Sequence, residues 1–388
     1  MRIIHTGDIH FNSNLLKEIT KCADYLVEKV QQDPPDVVVI AGDLFDERQT
    51  YDSPAFLAAV DFIHRLSDHA PVLIIQGTPS HDGHTLKFLK SDRVYIAENP
   101  DQVVLTEDGF IDFDGQLPEG VKVLFSCLPS VSKARVLNAV GADLNGTNFN
   151  TIELLRDVLA GWGISNAAVK AAGVPVVLVS HLTVMGARLS TGQQMIGREV
   201  ELGVEDLRSA KCDLVCLGHI HKMQNWGEIH YSGSLTRLNF GEEEEKGFFI
   251  HSIEDGTLTS DFVFTPARTM MTVDLDEIPS TDTAIKVSDG AYVRLRYEVA
   301  EEDVHGVDEE ALKAVYLSSG AGEVKIEKIV VPKERVRAEG ISQAVDTTEK
   351  LKKWADVTGA ELSPGVINKL HVLESDNEEV KPDETAVA

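Results

Sequence analysis

The chain has 388 residues, 43% of them hydrophobic, enough for one large core and a smaller satellite domain. Its formal net charge of −27 excludes a protein that coats nucleic acid by bulk electrostatics, although a local basic strip or a basic partner can still supply phosphate contacts. Four cysteines without a CxxC pair, and the absence of an apolar leader or of a run of about 18 apolar residues, lead us to expect a reduced, soluble, cytoplasmic protein with no membrane contact.

Residues 2–6 read as a buried first strand, broken by Gly7. Over residues 15–30, Leu16, Ile19, Cys22, Ala23, Leu26 and Val30 share one face of a helix, which Asp33-Pro34-Pro35 stops. A second buried strand at 37–41, a helix at 53–66 and a strand at 72–76 follow. This alternation predicts an α/β layer with at least partly parallel strands. Residues 103–124 hold short strands and Asp/Gly turns, and 152–162 read as a helix. Strands return at 174–179, 214–217, 229–231 and 248–251, the last two at hairpin-like spacing. Beyond Pro266-Ala267-Arg268 the pattern becomes strands at 272–275 and 291–297, a helix at 309–317 and a strand at 324–331, a compact α+β module. A further helix is expected at 347–356, and 374–388 is an acidic, Pro-containing stretch with little to bury. The expected divisions are a main domain over 1–265, the α+β module over 266–335, a helical segment over 336–372 and a disordered tail over 373–388.

Five short stretches stand where such apolar runs give way to polar residues. They are Asp8-Ile9-His10, Gly42-Asp43, Ser80-His81-Asp82, Ser180-His181 and Gly218-His219-Ile220-His221. Acids and histidines at the mouths of successive strands converge in space although far apart in the chain. Two divalent cations about 3.5–4 Å apart activate water and stabilise both the attacking and the leaving oxygen of a phosphodiester. They need carboxylates, imidazoles and one ligand shared between them. Asp43 is the natural bridge, preceded by a glycine that leaves room for metals. Asp8 and His10 can grip one ion, and His219 and His221 can divide between the two. Singly, each piece has a plainer reading: Asp43 as a helix cap, His181 as a satisfied core histidine, His81 as a structural one. Their joint occurrence, each at a strand end, points to hydrolysis of a phosphate ester.

In these residues the chain resembles the calcineurin-like metallophosphoesterases, with the signature D-x-H, G-D, G-N-H-D, H and G-H-x-H. The Gly42-Asp43-Leu44-Phe45-Asp46 form and the element from Tyr231-Ser232-Gly233-Ser234 through Arg237-Leu238-Asn239-Phe240-Gly241-Glu242 to Lys246-Gly247-Phe248 look like the SbcD nuclease branch. The likeness is specific over 1–265 and looser over 266–335, where that branch has a capping domain. It implies a four-layer αββα sandwich with a smaller C-terminal α+β capping domain, two Mn²⁺ ions, and exonuclease and endonuclease action on DNA. By position, Asp8, His10, Asp43 and His221 would hold the first metal. Asp43, the residue in the Asn position, His181 and His219 would hold the second. His81 would be the catalytic histidine at the leaving oxygen, and Asp82 would orient it. One departure matters: the chain reads Gly77-Thr78-Pro79-Ser80-His81-Asp82, without the Asn and with a longer loop. Ser80, adjacent to His81, takes the Asn position most directly, with Thr78 the alternative. Either hydroxyl is a poorer donor than an amide oxygen, so a weaker second metal site is expected.

The resemblance also implies an SbcC-like SMC-type ATPase partner and a homodimer within a heterotetramer. The 347–356 helix, with Leu351, Trp354 and Ala355 on one stripe, could dock that ATPase or fold on the chain's own core. The helices at 15–30 and 53–66 are dimer candidates that intramolecular packing explains equally well. The Glu242–Glu245 run reads as a solvated turn, and Arg188, Arg198 and Arg237 as phosphate contacts or plain surface ion pairs. Two alternatives remain beside the nuclease: a small-molecule phosphodiesterase or phosphatase, and a catalytically weakened scaffold for the ATPase.

Overall fold

The computed structural model describes residues 1–83, 85–130, 151–190, 200–242, 244–275, 286–301, 303–304, 306–331 and 346–378. Two compact units are present. The first holds Met1–Leu275 with the described parts of Pro279–Arg296 and Glu309–Glu327, and the second the described parts of Tyr297–Asp308 and Lys328–Ala388.

In the first unit, short apolar runs form two stacked sheets. One sheet runs β15-β14-β1-β2-β3-β4. Its strands β1 (Arg2–Thr6), β2 (Val37–Ile40), β3 (Val72–Ile75) and β4 (Val94–Ala97) are mutually parallel, while β14 (Gly247–Glu254) is antiparallel to both β1 and β15 (Thr257–Phe264). The second runs β12-β13-β11-β8-β7-β5-β6. Here β7 (Val123–Leu128), β8 (Val176–His181), β11 (Leu214–Gly218) and β13 (Ile229–Tyr231) are parallel. Strands β5 (Asp101–Thr106), β6 (Gly109–Asp112) and β12 (Gln224–Trp226) are antiparallel to their neighbours, with β6 and β12 at the edges, and β9 (Thr183–Val184) and β10 (Glu201–Leu202) form a separate parallel pair.

The period-two alternation of strands sorts side chains between layers. Val37 and Val39 of β2 face the second sheet, with Ile3, Phe125, Val177 and Cys216. Val38 and Ile40 face the helices α1 (Leu16–Gln32) and α2 (Pro54–His69) instead. Ser53 caps α2 by accepting from the Phe56 N–H, and Pro54 opens its first turn. On the far face, α3 (Thr151–Ala171) and α4 (Val204–Arg208) pack Leu155, Leu159 and Leu207 against Leu178, Val215 and Leu217. The result is the expected four-layer αββα sandwich. A third sheet, β16-β17-β18 (Met270–Leu275, Tyr292–Ala300, Glu323–Val331), and α5 (Glu309–Ser318) enclose a small core of Val273, Val293, Leu295, Leu312 and Tyr316. In the second unit, α6 (Thr347–Thr358) is capped by Asp346 and ended by Gly359 in the left-handed region, and α7 (Pro364–Glu378) follows.

Three expectations are corrected. The hairpin does not form: β13 pairs with β11 and β12, whereas β14 lies in the other sheet beside β1. The helix expected to stop at Trp162 runs to Ala171, through Gly161 and Gly163. Gly163 is no breaker but a contact, since a Cβ there would collide with the Ser209 carbonyl. The expected tail begins as helix, because α7 extends to Glu378; residues 379–388 lie outside the described residues. All four cysteines are free, and among the described residues no helix is long and apolar enough to cross a membrane.

Candidate two-metal site

The site is built at the C-terminal ends of parallel strands from both sheets, the usual ligand position in α/β folds. Asp8 and His10 follow β1, Asp43 follows β2, and the residue 77–82 loop follows β3. His181 ends β8, while His219 and His221 follow β11. The loops lock together through Asp8 N–H to the Gly42 carbonyl at 3.0 Å and His10 N–H to the Asp43 carbonyl at 3.1 Å. Six non-glycine residues have positive φ among the described residues, and four are candidate ligands: Asp8 (49°), His10 (54°), Asp43 (48°) and His219 (100°). That conformation is costly for a residue with a Cβ and persists where the surroundings enforce it, as at functional sites. Gly42 serves a purpose other than the expected one. A Cβ on it would strike the His181 ring, so its missing side chain admits an imidazole.

The structure draws the scattered acids and histidines into touching groups. Asp8, His10 and His221 can meet at one point, Asp43, His181 and His219 at a second, and His10, Asp43 and His81 at a third, each set with ligand atoms within 4.8 Å of one another. Asp43 stands between them: its Oδ2 is 3.2 Å from His181 Nε2, 2.9 Å from His81 Nδ1 and 3.9 Å from His10 Nε2. His181 donates Nδ1–H to the Ala41 carbonyl at 2.7 Å, which leaves Nε2 for the centre. Both Asp8 oxygens accept from the His219 N–H at 2.9 Å.

The electrostatics call for cations. Burial works against a charged His181, yet the Asp43 and Asp8 carboxylates outweigh it and push its pKa up to about 10. Burial alone would raise the Asp43 carboxyl, but His181, His81 and His10 hold it well below the usual range. Protons on imidazoles here balance negative charge that metal ions would otherwise balance. His10 is only 2% exposed, and neither ring nitrogen has a hydrogen-bond partner of good geometry. Its Nε2, buried, 3.9 Å from Asp43 Oδ2 and unsatisfied, is what a ligand nitrogen looks like without its ion. The residues therefore fit a pair of divalent metals.

Several residues take places other than those expected. Ser80 is exposed, and among the described residues no hydrogen bond joins its hydroxyl to the cluster. Thr78 stands there instead, its hydroxyl 3.1 Å from Asp43 Oδ2 and 3.4 Å from His181 Nε2, while its N–H donates to Asp43 Oδ1. Asp82, expected on the His81 imidazole, is fully buried and accepts four backbone N–H groups. Oδ1 takes those of Leu44 and Phe45 at 2.8 and 3.2 Å, and Oδ2 those of Gly77 and Asp43 at 2.7 and 3.1 Å. It clamps the Asp43 loop to the loop after β3. Burial and the Asp43 charge outweigh those amides and raise its pKa to about 6.

The Glu242–Glu245 run is not a solvated turn throughout. Glu242 is 0% exposed, although the Glu245 side chain is 68% exposed. Glu242 Oε1 lies 3.1 Å from His221 Nδ1 and accepts from Asn239 Nδ2 at 2.7 Å; Oε2 is 2.7 Å from Lys246 Nζ. It is the carboxylate that orients a ligating histidine, and His221 followed by Lys246 outweighs burial to hold its pKa at about 2. Asp46 does the same for His10, with Oδ1 3.3 Å from Nδ1. Both acids lie inside the motifs that carry the resemblance, and the sequence signal for Glu242 is Lys246 at i+4, entering a buried strand. Arg237 is 5% exposed and bound to the carbonyls of Glu242, Ala267 and Arg268, so its guanidinium is engaged in the fold. Arg188 is exposed, and Arg198 lies outside the described residues.

A family model for calcineurin-like phosphoesterases matches residues 1–223, more than half of the chain, and the protein belongs to this family. It is thus a metal-dependent phosphoester hydrolase by family, with the two-metal site typical of it in the Asp and His clusters. Among solved structures, the chain is similar to a dimetal phosphatase from Danio rerio, at 11% identity and TM-score 0.43, covering 68% of this chain and 96% of that one. It is also similar to the NAD nucleotidase of Haemophilus influenzae, at 11% identity and TM-score 0.37, covering 84% of this chain but 64% of that one.

Proposed function

We propose that the protein is an Mn²⁺-dependent DNA exonuclease and endonuclease, an SbcD-like subunit of a repair or phage recombination complex. The observation that carries this reading is the segment behind His221. Besides Glu242 it bears Phe240, whose ring lies 5.6 Å from that of Tyr292 on β17. The Arg268 guanidinium stacks 3.5 Å over Tyr292, and Arg294 lies 5.1 Å over Phe240. Rings and guanidinium planes stacked together and half-buried suit bases and phosphates at their open edges, and a small ester has no use for them. In this reading the two arginines, one of them also 3.4 Å from Glu327, supply the local positive charge that the net acidity of the chain lacks.

In this reading Asp8, His10, Asp43 and His221 would hold one metal, and Asp43, Thr78, His181 and His219 the other. Bound there, the ions would supply Lewis acidity for the phosphoryl oxygens and a water of lowered pKa. His81, with Nδ1 2.9 Å from Asp43 Oδ2, would stabilise or protonate the leaving oxygen through Nε2. Asp82 holds Asp43 in place, and Glu242 and Asp46 fix the rings of His221 and His10. The divisions 1–265, 266–335 and 336–372 are proposed as nuclease, capping and partner-docking segments, and 373–388 as a tail whose first residues continue α7. The exposed Trp354, Val357 and Val366 of α6 and α7 are the docking face for an SbcC-like ATPase, within a complex containing two copies of this chain.

The test is purified protein with Mn²⁺ on labelled duplex DNA and on bis-p-nitrophenyl phosphate, beside His81→Ala. DNA cleavage lost in the variant supports the nuclease. Ester hydrolysis without DNA cleavage supports a small-molecule phosphodiesterase, and silence on both supports a scaffold.

A further inference from the structure

A second cluster of metal-binding side chains lies away from the strand ends, between the two sheets. His5 on β1 and His251 on β14 come from one sheet, and Cys216 on β11 from the other. All three are 0% exposed, and one donor atom of each lies within 4.8 Å of the others. We propose that His5 Nδ1, His251 Nε2 and Cys216 Sγ form a third metal site, for a single thiophilic d¹⁰ ion, Cu⁺ or Zn²⁺, that staples the sheets behind the catalytic strand ends.

The ring orientations carry the argument. His5 Nε2 faces the Leu217 carbonyl at 3.1 Å, and a carbonyl only accepts, so Nε2 bears the proton and Nδ1 presents a lone pair. His251 Nδ1 is 2.8 Å from the Ser260 hydroxyl. Each imidazole thus has its outer nitrogen held by an oxygen and its inner nitrogen turned to its neighbour, as ligating histidines do. The inner nitrogens are 3.4 Å apart, beyond the ordinary hydrogen-bond range. Two nitrogens each about 2.0–2.1 Å from one ion at tetrahedral or trigonal angles stand about 3.3–3.6 Å apart. The observed spacing suits a shared ion better than a shared proton.

Burial keeps both rings neutral: it takes the His5 pKa down to about 3, and that of His251 well below its ordinary value. Neutral imidazoles are the ligating form, so protons do not compete above the acid range. Burial also raises the Cys216 thiol far above its ordinary value. An ion must therefore displace that proton, leaving one Cys216 thiolate and one proton released to solvent for each ion bound. Thiolate with imidazole selects soft ions over Mn²⁺ or Mg²⁺. One thiolate neutralises Cu⁺ fully, whereas Zn²⁺ would leave a net positive charge in an apolar layer, so charge balance favours Cu⁺.

The experiment is anaerobic titration of chelator-treated full-length protein with Cu⁺ and, separately, with Zn²⁺. The two-metal centre is disabled by Asp43→Asn, so that this site is read apart from the proposed nuclease. Stoichiometric uptake of one ion per chain with release of one proton, lost in both Cys216→Ser and Cys216→Ala of unchanged circular dichroism, is expected. Co²⁺ as a probe should show a thiolate-to-metal charge-transfer band that the same variants abolish. Uptake of neither ion, or uptake unaffected by the Cys216 variants, overturns the site and leaves a hydrogen-bonded histidine chain in its place.

Discussion

Lys246→Met should be among the most damaging single changes outside the metal ligands. The Lys246 side chain is 1% exposed, and its ammonium reaches three acceptors: Glu242 Oε2 at 2.7 Å, Glu244 Oε1 at 2.8 Å and the His221 carbonyl at 2.9 Å. Methionine keeps the volume and removes the charge, leaving a fully buried Glu242 carboxylate without its cation. Breaking one side of a buried pair costs about 3–5 kcal/mol. The proton linkage of Glu242, to which His221 contributes ahead of Lys246, sets an upper bound of similar size. Its carboxyl moves from 4.5 in the free side chain to about 2. That difference corresponds to roughly 3 kcal/mol at neutral pH. Since the folded pKa is depressed, this stability is present above pH 4.5 and lost as the pH falls through 2. The assay is guanidinium unfolding of chelator-treated protein at pH 7 for wild type, Lys246→Met, Glu242→Gln and the double variant. We expect Lys246→Met to lose at least 3 kcal/mol and the double variant to lose less than the sum by about 1–3 kcal/mol. A loss under about 1 kcal/mol, or strict additivity, would mean the pair behaves as a surface ion pair and the reasoning fails.

Three further outcomes follow from the same geometry. Thr78→Asn should tighten Mn²⁺ at the second position, and Thr78→Ala should weaken it, while Ser80→Ala changes neither; isothermal titration that finds Ser80 the sensitive residue would reverse the assignment. Glu242→Gln should weaken the His221 metal position by about 10–100-fold through loss of the carboxylate behind the ring, read in a chelator-competition assay. The His5 pKa is depressed from 6.5 to about 3 in the fold. Its contribution to stability is therefore complete above pH 6.5 and declines as the pH falls toward 3. Denaturant unfolding of metal-free protein should show about 2 kcal/mol of loss from His5 between pH 7 and pH 5; a flat profile would contradict its burial in neutral form.

Much of the architecture was legible from local pattern. Buried strands such as Val37–Ile40 and amphipathic helices such as Leu16–Gln32 announce themselves because their periodicity is imposed by a local neighbourhood. The Asp and His residues at strand ends were legible for the same reason, since a parallel sheet presents its strand mouths on one side. The full extent of the helix Thr151–Ala171 is not legible locally, because glycine is a helix breaker by propensity, while the packing of Gly163 on Ser209 is a long-range fact. Likewise, β13 and β14 look adjacent in sequence yet pair in different sheets, because strand partners are chosen by burial of whole faces.

The amino-acid order by itself determined the sandwich, the family and the chemical types gathered at its centre, because these depend on residue identity and short-range periodicity. Tertiary structure alone decided which hydroxyl meets Asp43, that Asp82 binds amides and not an imidazole, and that Glu242 lies dry behind His221. It also decided that His5, His251 and Cys216 meet between the sheets. Each of these turns on distances between groups remote in the chain, and a charged or polar letter carries no mark of whether folding will surround it with water or with partners.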